Sequence, residues 1–193
     1  MTKAEARRLI QARLSGLGPE ERRAKSARIV RSVLGLPEVR GADVVMVFLA
    51  LPDEVDTEPL IAGLWQQGKV VATPHTDVEG GELVPVRLGP GVAVQPAALG
   101  VREPEVQEAV AVAEIDVVIV PGRAFDREGY RVGRGGGYYD RFLGQRDCRG
   151  LRLAVAYGCQ VLGAVPRGSG DVAVDVLVTE DEVLRFPCRH GTK

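Results

Sequence analysis

The sequence predicts an α/β fold with a largely parallel sheet, and two observations lead to this class. Several apolar runs of strand length contain no polar residue, which is typical of strands covered on both faces. Segments with helical periodicity alternate with these runs along the chain. The chain has 193 residues, close to the length of one domain of about 150 residues. With no internal repeat and no linker, we predict a single domain over residues 1–193.

Two helices are predicted at the start of the chain. Residues 3–15 place apolar side chains near one face, and the Gly-Leu-Gly-Pro sequence of residues 16–19 breaks the pattern. Pro19 followed by two glutamates suits the first turn of a second helix. We expect that helix to run to about residue 35.

Strands then alternate with helices. Residues 43–49 form the first continuous apolar run, and Thr57 can cap the helix that follows it. Further strands are expected at residues 69–74, 82–86, 116–121, 151–157 and 174–178, with a helix that contains residues 140–143.

The composition argues against several classes of function. The 25 basic and 26 acidic residues give a net charge of −1, so no basic excess indicates nucleic acid. No apolar stretch reaches the roughly 18 residues of a membrane span, and no signal peptide is recognised. Cys148, Cys159 and Cys188 contain no Cys-x-x-Cys pair, so neither a zinc site nor a disulfide framework is predicted. We expect a cytoplasmic protein with no nucleic-acid or membrane partner.

The most informative segment follows the apolar run at residues 116–121. Gly133 and the glycines at 135–137 permit backbone conformations closed to other residues, so that N–H groups can converge on an anion. Arg131 and Arg134 add positive charge, and the carboxyl end of a strand is where open α/β sheets bind ligands. The segment therefore predicts a phosphate site, although it is neither a Walker A motif nor a dinucleotide fingerprint. A flexible turn with solvated arginines is the alternative.

Residues 133–140, Gly-Arg-Gly-Gly-Gly-Tyr-Tyr-Asp, resemble the signature of the 5-formyltetrahydrofolate cyclo-ligases, also called 5,10-methenyltetrahydrofolate synthetases. The resemblance covers nearly the whole chain. It extends to the basic helix at residues 3–7, the run at residues 48–57, Pro121-Gly122 and Phe125-Asp126, and residues 154–157 with Gln160, Asp171 and Asp175.

The resemblance implies a three-layer α/β/α domain related to the ribose-5-phosphate isomerase and CoA-transferase group. It also implies an enzyme that uses ATP and Mg²⁺ to convert 5-formyltetrahydrofolate to 5,10-methenyltetrahydrofolate, with release of ADP and phosphate. Phosphorylation of the formyl oxygen creates the leaving group that attack by N10 requires, so no protein nucleophile is needed. The alternatives are a non-catalytic folate- or nucleotide-binding relative, another ATP-using enzyme on this scaffold, and an RNA-binding module.

The same resemblance implies roles for individual residues. It assigns the ATP phosphates to Lys3, Arg7, Arg131, Gly133, Arg134, Gly135, Gly136, Gly137, Tyr138 and Tyr139. It assigns the folate substrate to Leu49, Glu54, Arg134, Gly135, Gly136, Gly137 and Tyr138. Arg134 and Tyr138 are the catalytic candidates, with Arg134 stabilising the transferring phosphoryl group. Asp140 and Asp175 are the Mg²⁺ candidates, because Mg²⁺ prefers oxygen ligands.

Several of these assignments have structural alternatives. Leu49 and Tyr139 suit ordinary core packing, and Glu54 suits a solvated loop. Asp140 opens a helix, where a carboxylate complements the helix dipole. Some members of the resembled family carry a lysine in place of Gly136, so Arg131 or Arg134 would have to supply that charge here. We expect a monomer.

Overall fold

The computed structural model describes residues 1–105 and 108–187, so Cys188 lies outside the described residues. In chain order the strands of this part are β1 (Val44–Met46), β2 (Val70–Asp77), β3 (Glu82–Arg87), β4 (Val94–Pro96), β5 (Arg102–Pro104), β6 (Val117–Val120), β7 (Ala124–Asp126), β8 (Arg131–Val132), β9 (Leu151–Val155), β10 (Val161–Leu162), β11 (Val176–Val178) and β12 (Val183–Arg185).

The helices confirm the predicted start of the chain. They are α1 (Lys3–Ser15), α2 (Pro19–Gly35), α3 (Pro37–Gly41), α4 (Glu58–Gln66) and α5 (Tyr138–Leu143). Thr2 and Glu5 form a capping box that starts α1, and Pro19 occupies the first turn of α2. Within residues 1–105 and 108–187, no helix is long and apolar enough to cross a membrane.

The main sheet has seven strands in the order β12-β11-β9-β6-β1-β2-β3. The five central strands are parallel, and the edge strands β12 and β3 run antiparallel to their neighbours. The prediction of a mixed α/β fold with a largely parallel sheet is therefore confirmed. Because the parallel strands share one direction, their carboxyl ends meet along one edge of the sheet.

Side chains alternate between two apolar clusters on the faces of the sheet. Val45 and Val47 join the cluster that contains the buried faces of α1 to α4. Met46, between them, joins the cluster that contains Phe142 and Leu143 of α5. Helices thus cover both faces and give three layers, but the α5 side is the thinner one. The proposed relation to the ribose-5-phosphate isomerase and CoA-transferase group stays a prediction.

Several short strands around the central sheet were not predicted from the sequence. β7 and β8 form a hairpin inside the glycine-rich region, and β7 also pairs with β10 to give a separate three-stranded sheet. β4 and β5 form a two-stranded sheet. Asp126 explains why this region folds without an apolar run. Its buried carboxylate accepts hydrogen bonds from the backbone N–H groups of Glu128, Tyr130 and Val165. A polar anchor therefore stabilises a strand that hydrophobic pattern alone does not reveal.

Candidate active site

A cleft of about 480 Å³ lies at the carboxyl edge of the main sheet. The strand ends contribute Phe48 and Leu49 after β1 and Pro121 and Gly122 after β6. The remaining lining includes Leu51, Glu54, Pro74, Thr76, Leu83, Val101, Arg102, Arg131, Gly133, Arg134, Gly136, Gly137, Tyr138, Tyr139 and Asp140. The structure thus brings most of the predicted site residues together at the edge where parallel sheets bind ligands.

The glycine loop, defined as residues 133–137, presents backbone donors. Gly135 has a φ of 120° and Gly137 a φ of 69°, conformations that favour glycine. Within the described part of the chain, the N–H groups of residues 134–137 donate no hydrogen bond to the protein. Four unused donors on one loop suit the oxygens of a phosphate group.

Helix α1 fixes the start of this loop. The Arg7 Nε donates a hydrogen bond of 2.7 Å to the carbonyl oxygen of Gly133, and its guanidinium lies near Gly135. Lys3, one turn earlier, forms an ion pair of 2.6 Å with Asp171. Arg7 therefore lies beside the loop and Lys3 beside Asp171, and neither lines the cleft in this structure. Their predicted contact with the ATP phosphates stays a prediction.

Arg131 is buried beneath the loop. Its Nη2 lies 3.0 Å from Oδ1 of Asp140, and its Nη1 donates to the carbonyl oxygen of Val172. Burial lowers the pKa of Arg131, and the Asp140 carboxylate opposes that shift. An arginine remains charged at neutral pH, so Arg131 places a positive charge under the cleft while it orients Asp140.

Arg134 and Glu54, predicted for phosphate and folate respectively, contact each other directly. The Arg134 Nε and Nη2 lie 3.2 Å and 3.0 Å from Oε1 of Glu54, and Nη2 lies 2.9 Å from Oδ1 of Asp53. The other oxygen of Glu54 accepts a hydrogen bond of 3.0 Å from the backbone N–H of Leu51. Burial acts to lower the pKa of Arg134, but these carboxylates hold it above its ordinary value.

The two tyrosines occupy different environments in the lining. The Tyr138 ring lies under the guanidinium of Arg141, 4.9 Å from the ring centroid. The hydroxyl of Tyr139 is buried without a hydrogen-bond partner among the described residues, and burial raises the pKa of this group. Tyr139 and Leu49 both line the cleft and pack on an apolar cluster, so core packing and ligand contact are compatible for each.

The two carboxylates predicted for Mg²⁺ lie in different places. Asp140 lines the cleft, and its Oδ1 also accepts a hydrogen bond of 3.0 Å from the backbone N–H of Val172. Asp175 directly precedes β11 at the amino edge of the sheet, where its Oδ2 accepts from the N–H of Arg152 at 2.9 Å. Because a parallel strand begins at the edge opposite the cleft, the structure does not bring Asp175 to the site.

Asp171 lies nearer to Asp140 than Asp175 does, although it does not line the cleft. It is adjacent in sequence to Val172, whose N–H holds Asp140, and it pairs with Lys3 of α1. Burial raises the pKa of Asp171, but hydrogen bonds from Lys3 and the Gly168 N–H hold it below its ordinary value. The carboxylate is therefore ionised at neutral pH. Because Asp175 directly precedes β11, the direction of that strand places Asp175 at the edge opposite the cleft. Strand direction is therefore the sequence signal that could have favoured Asp171 over Asp175.

Asp53 and Arg123 are the other residues that the sequence did not reveal. Arg123 is a buried arginine just after β6, and it lies 2.5 Å from Oδ2 of Asp53. Its position between Gly122 and Ala124, in the segment that follows a buried strand, indicates only that it lies near the carboxyl edge of the sheet. The partner, however, is 70 residues away in sequence.

Unused backbone donors, flanking cations and carboxylates, and an adjoining apolar lining define the class of this protein. It is an α/β enzyme with a loop of unused backbone donors beside an apolar cleft at the carboxyl edge of its sheet. A model of the 5-formyltetrahydrofolate cyclo-ligase family matches residues 1–180. The chain belongs to the 5-formyltetrahydrofolate cyclo-ligase family.

Individual relatives agree with this assignment. The 5-formyltetrahydrofolate cyclo-ligase of Escherichia coli K12 is 31% identical over 182 residues, which cover 92% of this chain and 100% of the relative. The enzyme of the same name from Mus musculus is 29% identical over 187 residues, covering 89% of this chain and 90% of the relative. The predicted family and enzyme class are therefore confirmed.

Solved structures give the same fold. The NMR structure of 5,10-methenyltetrahydrofolate synthetase from Aquifex aeolicus matches with a TM-score of 0.84 at 38% identity, covering 100% of this chain and 96% of that one. The corresponding protein from Mycoplasma pneumoniae matches with a TM-score of 0.77 at 19% identity, covering 93% and 99%. The second match concerns the fold alone.

Proposed function

We propose that this chain closes 5-formyltetrahydrofolate to 5,10-methenyltetrahydrofolate at the expense of ATP, releasing ADP and phosphate. The observation that carries the proposal is the contact between Arg134 of the glycine loop and Glu54 after β1. The γ-phosphoryl group of ATP must reach the formyl oxygen of the folate. An enzyme for this reaction therefore needs its phosphate site and its pterin site within one side-chain length of each other.

The nucleotide phosphates bind at the glycine loop in this proposal. The free N–H groups of residues 134–137 supply hydrogen bonds, and Arg131 and Arg134 supply charge. Lys3 and Arg7 reach the same phosphates from α1, which already contacts the loop at Gly133. Tyr138 and Tyr139 form the wall beside the nucleotide.

The folate binds on the strand side of the cleft. Glu54 accepts hydrogen bonds from the amino-pyrimidinone edge, because a carboxylate presents two acceptor oxygens to two adjacent N–H groups. Leu49, with Phe48, packs against the pterin ring from the end of β1. This orientation directs the formyl group towards Arg134, Tyr138 and the glycine loop.

The reaction then proceeds in two steps. The formyl oxygen attacks the γ-phosphorus, the bond to the β-phosphate oxygen breaks, and ADP leaves. N10 next attacks the formyl carbon, and loss of phosphate together with the N10 proton leaves the methenyl bridge between N5 and N10. Arg134 stabilises the charge on the transferring group, and the enclosed cleft holds N10 close to the formyl carbon.

Mg²⁺ fits the carboxylates beside the loop. Asp140 lines the cleft and Asp171 lies next to its Val172 contact, and one or two carboxylates with ATP phosphates are enough for this ion. Bound there, Mg²⁺ would neutralise phosphate charge. We include Asp171 in this role in place of Asp175, which lies at the other edge of the sheet.

The proposal extends to the setting of the enzyme. The main sheet takes strands from residue 44 to residue 185, which supports one domain over residues 1–193. All proposed site residues come from one chain, which supports a monomer. Cys148 and Cys159 are free thiols, as expected in the reducing cytoplasm. A net charge of −1 supports small-molecule substrates and no nucleic-acid or membrane partner.

The test is a requirement for three partners. Purified protein is mixed with 5-formyltetrahydrofolate, ATP and Mg²⁺, and methenyl-folate absorbance and ADP are followed together. We expect product only when all three are present, with one ADP for each methenyl group. Cyclisation without ATP consumption would refute the mechanism. Binding of both ligands without turnover would favour the non-catalytic relative.

A further inference from the structure

A series of ion-paired side chains, Arg123, Asp53 and Arg134, leads from the protein interior to the cleft. Arg123 Nη1 lies 2.5 Å from Oδ2 of Asp53, and the other oxygen of Asp53 lies 2.9 Å from Nη2 of Arg134. Asp53 therefore uses one oxygen for each arginine. It is not among the residues that line the cleft, so it contacts the site through Arg134.

The inner end of this series of charged side chains, Arg123, is held in the protein interior. Arg123 is 6% exposed, and its second terminal nitrogen donates to the side chain of Gln11 on α1. Burial raises the pKa of Asp53, but the arginines outweigh this effect and hold the pKa below its ordinary value. Asp53 is thus an ionised carboxylate fixed from behind by a buried cation.

The outer end of this series of charged side chains is more exposed. Arg134 is about half exposed and shares its guanidinium between Asp53 and Glu54. In the proposed function Glu54 Oε1 is taken by the pterin, so Arg134 loses both hydrogen bonds to that oxygen. Asp53 is then the carboxylate that still holds Arg134.

We propose that Asp53 is a positioning residue that holds the Arg134 guanidinium at the phosphoryl-transfer site once the folate occupies Glu54. The inference rests on the proposed function and extends it to a residue that does not touch the substrate. A guanidinium with one remaining anchor keeps its distance from the loop while its other N–H groups turn to the phosphate. Without that anchor, Arg134 would sample the solvent.

A purely structural role for Asp53 predicts different behaviour. If Asp53 serves only to neutralise Arg123, its replacement lowers stability and the loss of activity does not depend on Arg134. If Asp53 acts through Arg134, its replacement has no further effect once Arg134 is gone. A double-mutant cycle on kcat separates the two roles.

The experiment compares wild type, Asp53→Asn, Arg134→Ala and the double variant under saturating ATP and Mg²⁺. We expect Asp53→Asn to lower kcat by about tenfold, with the KM for 5-formyltetrahydrofolate changed by less than about twofold. In the Arg134→Ala background the same substitution should change kcat by less than about twofold. Glu182→Gln, which breaks an exposed ion pair with Arg127, is the matched control and should behave as wild type.

Removal of the Asp53 charge leaves Arg123 buried and unpaired, so folding is checked by circular dichroism and thermal unfolding. If Asp53→Asn does not fold, Arg123→Met/Asp53→Asn removes both partners and takes its place in the cycle. A kcat unchanged by the substitution, or effects of Asp53→Asn and Arg134→Ala that multiply in the double variant, would overturn the inference. An inactive wild type would instead overturn the proposed function, and the inference with it.

Discussion

Arg134 makes three hydrogen bonds to carboxylates, yet the proposed function requires its guanidinium to reach the nucleotide. Its side chain is about half exposed, so solvent partly screens these ion pairs, although the Glu54 side chain is only 10% exposed. A phosphate oxygen in the enclosed cleft offers a charged acceptor of at least equal strength. Exchange from Glu54 to the nucleotide therefore costs little free energy, while the same contacts keep the guanidinium at the cleft before substrates arrive.

Glu54→Gln tests the pterin contact at the scale of a single residue. Glutamine keeps the shape but replaces one acceptor oxygen by a donor, so a ligand N–H loses its partner. An unpaired buried donor costs about 1–3 kcal/mol. We expect the Kd for 5-formyltetrahydrofolate, measured by calorimetry, to rise at least about tenfold, or roughly 1.4 kcal/mol.

The Kd for ATP on the same variant is the internal control. ATP contacts the glycine loop in this proposal, so its affinity in the absence of folate should stay within about twofold, less than about 0.5 kcal/mol. Unchanged folate binding by a folded variant would return Glu54 to the role of a loop carboxylate that holds Arg134 and the Leu51 N–H.

The sequence and its family resemblance placed most site residues but not the charges behind them. Glu54, Arg131, Arg134 and Asp140 lie in short motifs, so their proximity follows from sheet direction and motif position. Arg123 and Asp53 are 70 residues apart, and nothing local indicates that they pair. Asp171 and Asp175 belong to one short run, and only the path of the chain into β11 decides which of them lies nearer to Asp140.

At the scale of elements, the glycine loop and α5 form one unit. Arg141 of α5 donates to the carbonyl oxygen of Gly136 and contacts the Tyr138 ring. Gly137 caps the helix with a left-handed backbone. The direction in which the loop presents its N–H groups therefore depends on the backbone angles at this glycine.

Gly137→Ala tests that dependence. A left-handed backbone costs a residue with a Cβ roughly 1–2 kcal/mol, and the loop can relieve the strain by turning its donors away. We expect ATP binding to weaken by about tenfold. Gly68→Ala is the control, because Gly68 has a φ of 74° and space for a Cβ but follows α4 away from the cleft. It should lose similar stability and keep its ATP affinity, and equal ATP affinity in the two variants would contradict the prediction.

Element prediction succeeded where a pattern extends over many residues. α1 and α2 have the expected bounds, and β1, β6, β9 and β11 each lie inside the predicted run. β2 extends past its run at residues 69–74 to Asp77, where it pairs with the antiparallel β3. β1 is shorter than its run at residues 43–49, because the chain leaves the sheet at Phe48 and Leu49 to line the cleft. β7, β8 and β10 have two or three residues each, too few for a period, and polar contacts to Asp126 stabilise their region.

At the scale of the whole molecule, a buried ion pair joins α2 to the end of β11. Lys25 lies 2.5 Å from Oε1 of Glu180, and the second oxygen of Glu180 accepts from the N–H of Gly158 at 2.7 Å. Burial raises the pKa of Glu180, but Lys25 and the backbone donors hold it below its ordinary value of 4.5. Residues 155 positions apart are thus linked by one carboxylate.

The depressed pKa of Glu180 predicts how stability depends on pH. Its contribution is fully present above the unfolded value of 4.5 and is lost as the pH falls through the lower folded value. Glu180→Gln should lower the free energy of unfolding in urea by about 1–3 kcal/mol at pH 7. The difference in the free energy of unfolding between Glu180→Gln and wild type should become smaller below pH 4.5.

The control is Glu108→Gln, which alters an exposed pair with Arg87 whose atoms are 3.7 Å apart. Its effect should be within about 0.5 kcal/mol at both pH values. If the free energies of unfolding of Glu180→Gln and wild type differ by the same amount from pH 7 to pH 3, the charge of the Glu180 carboxylate does not contribute to stability.

The contact between Lys3 and Asp171 has a consequence for biosynthesis. The two residues are 168 positions apart, so α1 leaves the ribosome long before its partner is made. At about 5–20 residues per second, on the order of ten seconds of translation separate them. During that interval Ala6, Ile10 and Leu14, which the finished fold buries completely, have no native cover from the later strands. The apolar face of the first helix of this enzyme therefore gains its full native cover only near the end of synthesis.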